Sequence, residues 1–478
     1  MIINREQGKK KMREIKEHPV LHFKKQEKIH FVFEGKEMEA YQNETVAMAL
    51  YRNGLNVFSK STKLHRPRGM FCAIGKCSSC MMRVNGIPNI KTCILPVRER
   101  MVVERQDGMG EKPDRIEYFQ PQIEINRDVI IIGGGPAGLN AAITLKKYGV
   151  SPLIVEQNPL LGGQLIKQTH KFFGSEREKA GTRGIKIASE MINTIKKENI
   201  KNFVNSAVFG FYPPNTISVF KKNQFIKIKS KYFIFATGAA EKMIPFPGND
   251  IPGVFGAGAA QTLMNVFGIK PGKSILMVGA GNVGLIVSYQ MLQAGINVRG
   301  VIEALPNIGG YFVHAAKLRR FNVPILTSTT IKEVNGNKHV EQAVTIGLDK
   351  KFNEIPGTEK TWNVDTVCLS TGLIPSVTLL AQAGCQLKYV PSLGGYVPIR
   401  NRFLETSLKN TFVAGDIDGI EEASTAMVEG TTAAYSVLIK MGKDATKERE
   451  SSIKELNILR SGPFGKKIRE GLKEVQYE

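Results

Sequence analysis

Apolar and polar residues alternate near the N-terminus. Ile29-His30-Phe31-Val32-Phe33 and Met38-Glu39-Ala40-Tyr41 flank Glu34-Gly35-Lys36, a hairpin pattern. Asn43 is placed to cap a helix running from Glu44 through Val46, Ala47 and Leu50 and stopping near Asn53-Gly54. A second hairpin is expected to turn at Asn85-Gly86. From Val129 the pattern changes. Val129-Ile130-Ile131-Ile132 is an unbroken β-branched run, suited to a strand buried on both faces, and a helical pattern from Leu139 to Tyr148 follows it. Pro152 to Val155, Phe233 to Ala236, Ser274 to Val278, Asn297 to Ile302, Asp365 to Ser370 and Thr411 to Ala414 read as further apolar strands, and Met427 to Ile439 as a helix. Strands alternating with helices predict an α/β chain with parallel sheets. After Lys440 the chain is charged and helical in pattern, with a break at Ser461-Gly462-Pro463.

Between the first buried run and its helix stand Gly133-Gly134-Gly135-Pro136-Ala137-Gly138. Gly133 allows the tight turn, Gly135 lets the backbone approach a pyrophosphate, and Gly138 lets helix and strand pack closely. The helix N-terminus then presents free N–H groups and partial positive charge to phosphate. Glu156, at the end of the next strand, is spaced to hold a ribose hydroxyl. The same device recurs as Gly279-Ala280-Gly281-Asn282-Val283-Gly284, followed by a helix, a strand and Glu303. A carboxylate at Glu303 favours NAD over NADP, a preference weakened by Arg299, Arg319 and Arg320 nearby in sequence. Gly162-Gly163-Gln164 is a loop that could run beneath a flavin, Thr237-Gly238 ends a strand where backbone could approach a nucleotide, and Thr371-Gly372 echoes it. Gly415-Asp416 ends the last strand, where Asp416 could bond a ribityl hydroxyl. The order is first device, second device, then a return to the first, the layout of a flavin domain with a nicotinamide-type domain inserted.

Four of the six cysteines fall within residues 72–93. Cys72, Cys77 and Cys80 have C-x₄-C-x₂-C spacing and Cys93 follows after the second hairpin. Three thiolates in one glycine-containing loop and a fourth from an adjacent element can enclose a [2Fe–2S] rhomb, with backbone N–H groups aimed at the sulfurs. Structural zinc and free thiols are the alternatives; the spacing matches the plant-type ferredoxin pattern rather than paired C-x₂-C zinc loops. Cys368 and Cys385 read as core or loop cysteines.

The chain has 478 residues and a net charge of +23. Its lysines are scattered end to end without a recognition motif, so the charge reads as a solvated surface or as steering toward an acidic partner, with no nucleic acid as ligand. No export signal or membrane span is read, and a cytoplasmic location is expected. The expected layout is a polar extension (1–28), a small α+β [2Fe–2S] ferredoxin-like domain (29–108), a linker (109–126), an FAD domain in two pieces (127–241 and 367–440), an inserted NAD(P)-type domain (242–366) and a charged tail (441–478). Both nucleotide domains are expected to be Rossmann-like.

On these motifs, together with Arg66-Pro67-Arg68-Gly69-Met70-Phe71-Cys72, Ala236-Thr237-Gly238-Ala239-Ala240-Glu241, Pro245-Phe246-Pro247-Gly248, Pro252-Gly253-Val254 and Gly258-Ala259-Ala260-Gln261, the sequence resembles the pyridine nucleotide–disulfide oxidoreductase superfamily. Within it the chain is most similar to the electron-transfer (alpha-type) subunits of opine oxidase, hydrogen cyanide synthase, sarcosine oxidase and dye-linked proline dehydrogenase. The resemblance implies FAD held by Gly133, Gly135, Gly138, Glu156, Thr237, Gly238, Gly415 and Asp416, and a cluster held by Cys72, Cys77, Cys80 and Cys93. It implies NAD or another adenine nucleotide, such as ATP, at the second site. It also implies a beta-type flavoprotein oxidase or dehydrogenase subunit that oxidises proline, sarcosine or an opine, and an acceptor protein or quinone. Some relatives carry a further cysteine-rich module at the C-terminus; residues 441–478 hold no cysteine, so a second cluster is not expected. The C-x-x-C of thioredoxin reductases is missing from the nucleotide-binding part, which disfavours disulfide reduction. A flavin accepts two electrons and a [2Fe–2S] cluster passes one, which suits an electron-transfer subunit. Two alternatives stand beside it: a self-sufficient NAD(P)H-dependent reductase working through its own cluster, and an assembly subunit whose nucleotides are structural. No general base can be named, and His314 is as readily a packed or surface histidine.

Overall fold

The computed structural model describes residues 13–23, 26–111, 123–172, 179–221 and 224–477. The chain divides into two compact units, Met1–Ile116 with Glu241–Gly372, and Glu117–Ala240 with Leu373–Glu478.

In the first unit the N-terminal half is a mixed sheet. Hairpin strands Lys28–Phe33 and Lys36–Tyr41 turn at Glu34-Gly35, both with positive φ. Strands Met81–Val84 and Ile87–Lys91 turn in the same way at Asn85-Gly86, and Val102–Asp107 joins both hairpins into one sheet. Two-residue turns of this hand match the twist of the flanking strands. The helix packed here is shorter than its pattern predicts. It spans Val46–Arg52, with Thr45 rather than Asn43 at its N-cap. Asn43 instead takes φ +71, and the Glu44 carboxylate accepts the Tyr41 N–H at 2.8 Å while pairing with Arg52 at 2.9 Å. That buried ion pair fixes the helix start where a cap was expected.

The rest of this unit is a five-stranded parallel sheet in the order Val254–Gly256, Thr366–Leu369, Ser274–Val278, Asn297–Ile302, Ile325–Leu326, with a three-stranded antiparallel sheet beside it. Both halves share one core. Phe31, Leu50 and Phe58 from the first are buried with Phe255, Leu263 and Met264 from the second. Tyr51 packs edge-on to Phe255 at 5.8 Å and its hydroxyl donates to the Pro271 carbonyl.

Residues 13–23, within the stretch read as a polar extension, lie across this junction. Arg13 donates to the Tyr51 carbonyl and to Asn56 Oδ1, each at 2.7 Å, and its guanidinium covers the Tyr51 ring. Ile15 N–H and Lys270 N–H close backbone bonds to Gly268 and Arg13 carbonyls. Residues 1–12 and 24–25 of the predicted extension are outside the described residues. Arg13→Ala removes two hydrogen bonds from a charged donor and a cation–π contact. The expected cost is about 1–3 kcal/mol, read as a fall of ~2–12 °C in the melting temperature of this unit. An unchanged melting curve would show that the strap adds nothing to stability.

In the second unit a sheet runs Lys201–Phe203, Leu153–Val155, Ile123–Ile132, Gln224–Phe235, then the antiparallel strands Thr216–Lys221 and Ser206–Tyr212. Thr411–Val413 pairs with the last residues of Gln224–Phe235. The strand Ile123–Ile132 begins inside the stretch read as a linker, because its first half is largely exposed and only Val129 to Ile132 is fully apolar and buried. The remainder of that linker, 112–122, is outside the described residues. Helices Pro136–Lys147, Gly184–Lys197 and Ala423–Lys440 contribute to the unit's core. The C-terminal segment is folded: helices Thr446–Leu459 and Lys466–Val475 follow, and Leu472 and Val475 pack on Val390, Leu393 and Val397. No helix among the described residues is long and apolar enough to cross a membrane.

Candidate functional site

The first glycine turn sits where five parallel strands end. Gly133 N–H bonds the Val155 carbonyl at 2.9 Å and Ala236 N–H the Ile132 carbonyl at 2.8 Å, so the turn is framed by both neighbouring strands. Gly133 has φ +112, and a Cβ there would stand 2.2 Å from the Ala236 oxygen. At Gly138 a Cβ would stand 2.0 Å from the Gly133 oxygen. At Gly135 the nearest atom would be 3.9 Å away, so this glycine leaves space open rather than avoiding a clash. Pro136 opens the helix, where its missing N–H is no loss, and Ala137 is buried behind it. Glu156, 6% exposed, accepts the Gly134 N–H at 2.7 Å and the Asn158 N–H at 2.7 Å. The carboxylate therefore lies directly against the turn.

Gly162-Gly163 packs on that turn. Gly162 N–H bonds the Gly134 carbonyl at 2.8 Å, and a Cβ on Gly163 would meet the Gly135 Cα at 2.7 Å. Gln164 is exposed beside it. Thr237 Oγ1 donates to the Ser376 carbonyl at 2.9 Å, and Gly238, φ +64, has open space on its Cβ side. Gly415 follows the parallel strand Thr411–Val413 and lies against Ala137 of the turn. Asp416 keeps part of its surface open, yet burial around the carboxyl pushes its pKa up to about 7. All these residues belong to one unit and collect at one end of its parallel strands, where open α/β sheets take ligands.

The second turn repeats the strand and carboxylate bonds of the first. Gly279 N–H bonds the Ile302 carbonyl at 2.7 Å and Ser370 N–H the Val278 carbonyl at 2.7 Å. A Cβ on Gly279 would meet the Ser370 oxygen at 2.2 Å, one on Gly284 the Gly279 oxygen at 2.1 Å, and one on Gly281 nothing. Glu303 accepts the Ala280 N–H at 2.8 Å and the Leu305 N–H at 3.0 Å. Asn282 adds a feature of its own by accepting the Tyr311 N–H at 2.8 Å, and Gly310 N–H bonds the Ala280 carbonyl. A further sequence signal marks this shared lower loop: Glu156-x-x-Pro159-x-x-Gly162-Gly163 and Glu303-x-x-Pro306-x-x-Gly309-Gly310 have one spacing.

The arginines near Glu303 in sequence are remote along the backbone. Arg299 is four residues back along its strand, about 13 Å at ~3.3 Å per residue, and Arg319 and Arg320 close the far end of helix Phe312–Arg320. His314 is 4% exposed in the first turn of that helix. Burial, with Lys317 adding to it, lowers its pKa and keeps the ring neutral.

The cysteine loop is in the same unit as the second turn. Phe71 and Cys72 pack with Val254, Leu276 and Ile302, and the Phe71 carbonyl accepts the Gly256 N–H at 3.0 Å. The four thiols form a chain of sulfur contacts, Cys77 to Cys72 to Cys93 to Cys80. Hydrogen bonds from the Cys77 and Cys93 thiols, and then from the Ile74 and Cys77 N–H groups, lower the Cys72 pKa, and a hydrogen bond from Cys93 lowers that of Cys80. Gly75 N–H points at Cys93 Sγ at 3.3 Å and Cys77 N–H at Cys72 Sγ at 3.4 Å. Among the described residues no three His, Cys, Asp or Glu side chains are gathered as one ion requires. Two thiol pairs joined through Cys72 and Cys93 fit two bridged irons better than a single zinc, and the loop N–H groups are aimed at the sulfurs as a cluster demands. Cys368 is fully buried in a strand and burial raises its pKa; burial raises that of Cys385 as well, and neither is part of this group.

Two carboxylates join these sites without any local sequence signal. Glu241 accepts the Gly258 N–H at 2.5 Å and occupies the N-terminus of helix Ala257–Phe267. Glu429, mid-helix, accepts the Gly415 N–H at 2.7 Å. Neither follows a short motif, since each partner is more than ten residues away.

Comparison with known proteins agrees with this geometry. The family described as pyridine nucleotide-disulphide oxidoreductase matches residues 127–430, and the 2Fe-2S iron-sulfur cluster binding domain matches residues 26–108. The chain is 26% identical over 436 residues to the sarcosine oxidase alpha subunit of Corynebacterium sp. strain U-96, covering 84% of this chain and 43% of that one. It is 25% identical over 352 residues to an opine oxidase subunit of Agrobacterium tumefaciens strain Ach5, covering 68% of each. It superimposes on the crystal structure of L-proline dehydrogenase from P. horikoshii with a TM-score of 0.68 at 25% identity, covering 92% of this chain and 79% of that one. The chain spans less than half the length of the sarcosine oxidase alpha subunits it matches.

Proposed function

Because the chain belongs to the pyridine nucleotide-disulphide oxidoreductase family and carries a 2Fe-2S domain ahead of it, we propose that it is the electron-transfer subunit of an amine or imino acid dehydrogenase or oxidase. It is a flavin- and [2Fe–2S]-dependent oxidoreductase. The substrate class is a secondary amino or imino acid of the sarcosine, opine or proline type, the compounds named for its relatives. A partner flavoprotein subunit performs the oxidation, and an acceptor protein or quinone takes the electrons.

In this reading Gly133, Gly135, Pro136, Ala137 and Gly138 receive the pyrophosphate of FAD, Glu156 its ribose, and Asp416 its ribityl chain. Gly163, Gln164, Thr237, Gly238 and Gly415 line the same edge. Gly279, Gly281, Asn282, Gly284 and Glu303 take NAD or another adenine nucleotide, and Cys72, Cys77, Cys80 and Cys93 hold the cluster. Bound there, FAD and the cluster supply a two-electron carrier and a one-electron carrier. The chain's own work is positioning: helix N-termini face phosphate, carboxylates face sugar hydroxyls, and N–H groups face sulfur.

The observation that carries the reading is the presence of a four-thiol loop and a complete dinucleotide turn in one chain. The carboxylates beside the first turn, Glu156 and Asp416, accept backbone N–H groups, and none of the residues gathered there is a histidine. In this reading the amine is deprotonated on the partner subunit. The purified chain, loaded with FAD and cluster, is expected not to reduce a dye with sarcosine, proline or an opine. Turnover by the lone chain would refute the division of labour.

The completeness of the second turn favours one further reading, an NADH-dependent reductase. Mixing the lone chain with NADH under anaerobic conditions decides it: fast bleaching of the flavin band supports the reductase, and an unchanged spectrum supports the electron-transfer role.

A further inference from the structure

The C-terminal helices lie beyond the stretch that matches the nucleotide-binding family, which ends at residue 430. They are nevertheless tied to the flavin edge. Thr432 Oγ1 bonds Ser452 Oγ at 2.8 Å in a buried contact, and the helix Thr446–Leu459 ends at Arg460, 7% exposed. The Arg460 guanidinium divides between two acids. Its Nε lies 3.0 Å from both Glu421 oxygens and its Nη2 reaches Glu421 Oε1 and Glu429 Oε1. Each acid then acts on the Gly415-Asp416 turn. Glu429 Oε2 accepts the Gly415 N–H at 2.7 Å, and Glu421 donates its own N–H to the Asp416 carboxylate.

Close packing holds this frame in place. A Cβ on Gly430 would meet the Ala137 oxygen at 2.0 Å, so the helix bearing Glu429 runs against the helix that opens at Pro136. The charged groups facing Glu429 are Arg460, Asp418, Glu421 and Arg400, with Arg400 forked onto Asp418 at 2.7–3.0 Å. Burial raises the Glu429 pKa, and the Arg460 guanidinium beside it opposes that rise and favours the charged carboxylate. A buried carboxylate stripped of its cation takes up a proton or moves toward water, and either change slackens its grip on a backbone N–H.

Resting on the flavin reading of the first turn, we propose that Arg460 is a positioning residue for FAD, bracing Glu429 and Glu421 so that Gly415 and Asp416 are held where the ribityl chain lies. It acts through these two acids and touches no cofactor itself. The C-terminal helix pair is then the clamp that sets flavin retention in this chain.

The test is FAD binding to the full-length apoprotein, followed by flavin fluorescence. Arg460→Ala is expected to raise the FAD dissociation constant about tenfold or more, the scale of a lost charge-assisted contact. Lys454→Ala, an exposed residue on the same helix, is expected to bind as wild type. Millimolar methylguanidinium is expected to restore most of the affinity of Arg460→Ala, and methylammonium much less, because only a planar fork can serve two carboxylates. Should Arg460→Ala fold poorly, Arg460→Lys is expected to show an intermediate loss at unchanged melting temperature. Affinity within twofold of wild type in Arg460→Ala overturns the proposal, as does a loss that methylguanidinium leaves untouched. A wild-type chain that takes no FAD removes the flavin reading and this role with it.

Discussion

Cys72→Ala is expected to empty the chain of iron, from about two atoms per chain to background, with loss of the visible bands of a [2Fe–2S] centre. Cys72 is an inner member of the thiol chain, in contact with both Cys77 and Cys93, and hydrogen bonds from those thiols lower its pKa. Two irons with two bridging sulfides need four terminal thiolates. Three remaining sulfurs leave one iron open, and the loop from Phe71 to Ser79 loses the closure that the cluster provides. Cysteine-to-alanine changes at Cys368 or Cys385 are expected to leave the iron content intact, since neither belongs to the group. FAD content is expected to survive in Cys72→Ala because the flavin residues lie in the other unit. Electron delivery to a one-electron acceptor is expected to fall with the iron content, since the one-electron carrier is lost. Metal analysis and visible spectra of these variants decide the matter. Iron retained with an unchanged spectrum would remove the cluster assignment, and zinc in place of iron would return the structural-metal alternative.

The parts of this chain that can be read before folding are those written locally. The buried run Val129 to Ile132 needs no partner to be recognised as a strand. Glu34-Gly35 and Asn85-Gly86 announce their turns because few residues tolerate positive φ twice in succession. The cysteine spacing and both glycine turns are legible for the same reason. Long-range contacts are not. Arg13 meets Tyr51 and Asn56 across more than thirty residues, and Arg460 meets Glu421 and Glu429 across about the same span. An ion pair of that kind leaves no periodicity, so the N-terminal strap reads as a loose extension and the C-terminal helices as a charged tail. Asn43 misleads for the opposite reason. Its local capping signal is sound, but the buried Arg52–Glu44 pair overrides it. The joining of the iron–sulfur half to the inserted nucleotide domain is equally hidden, because a shared core shows only as two apolar faces until they meet.

The four paired glycines of the two turns separate packing from ligand space, and they lead to the second large expected effect. Gly138 and Gly284 are small because a backbone oxygen stands within about 2 Å of any added Cβ; Gly135 and Gly281 have no such neighbour and ordinary negative φ, near −80° and −73°. A valine at Gly135 therefore fits the empty protein, and its side chain projects into the space through which pyrophosphate must approach the helix N-terminus. Gly135→Val is expected to fold with a melting temperature close to wild type and to bind FAD at least about a hundredfold more weakly. That is the loss of two charge-assisted N–H contacts at about 1.5–3 kcal/mol each. Gly281→Val is expected to retain FAD and iron and to lose the second nucleotide. Gly138→Val, by contrast, is expected to fail at folding, because the clash is with backbone that cannot move without opening the strand–helix packing. Paired measurements of melting temperature and flavin content across the three variants separate the roles. Full FAD affinity in Gly135→Val would mean that the pyrophosphate does not lie over this turn, and the assignment of the first site would fall with it.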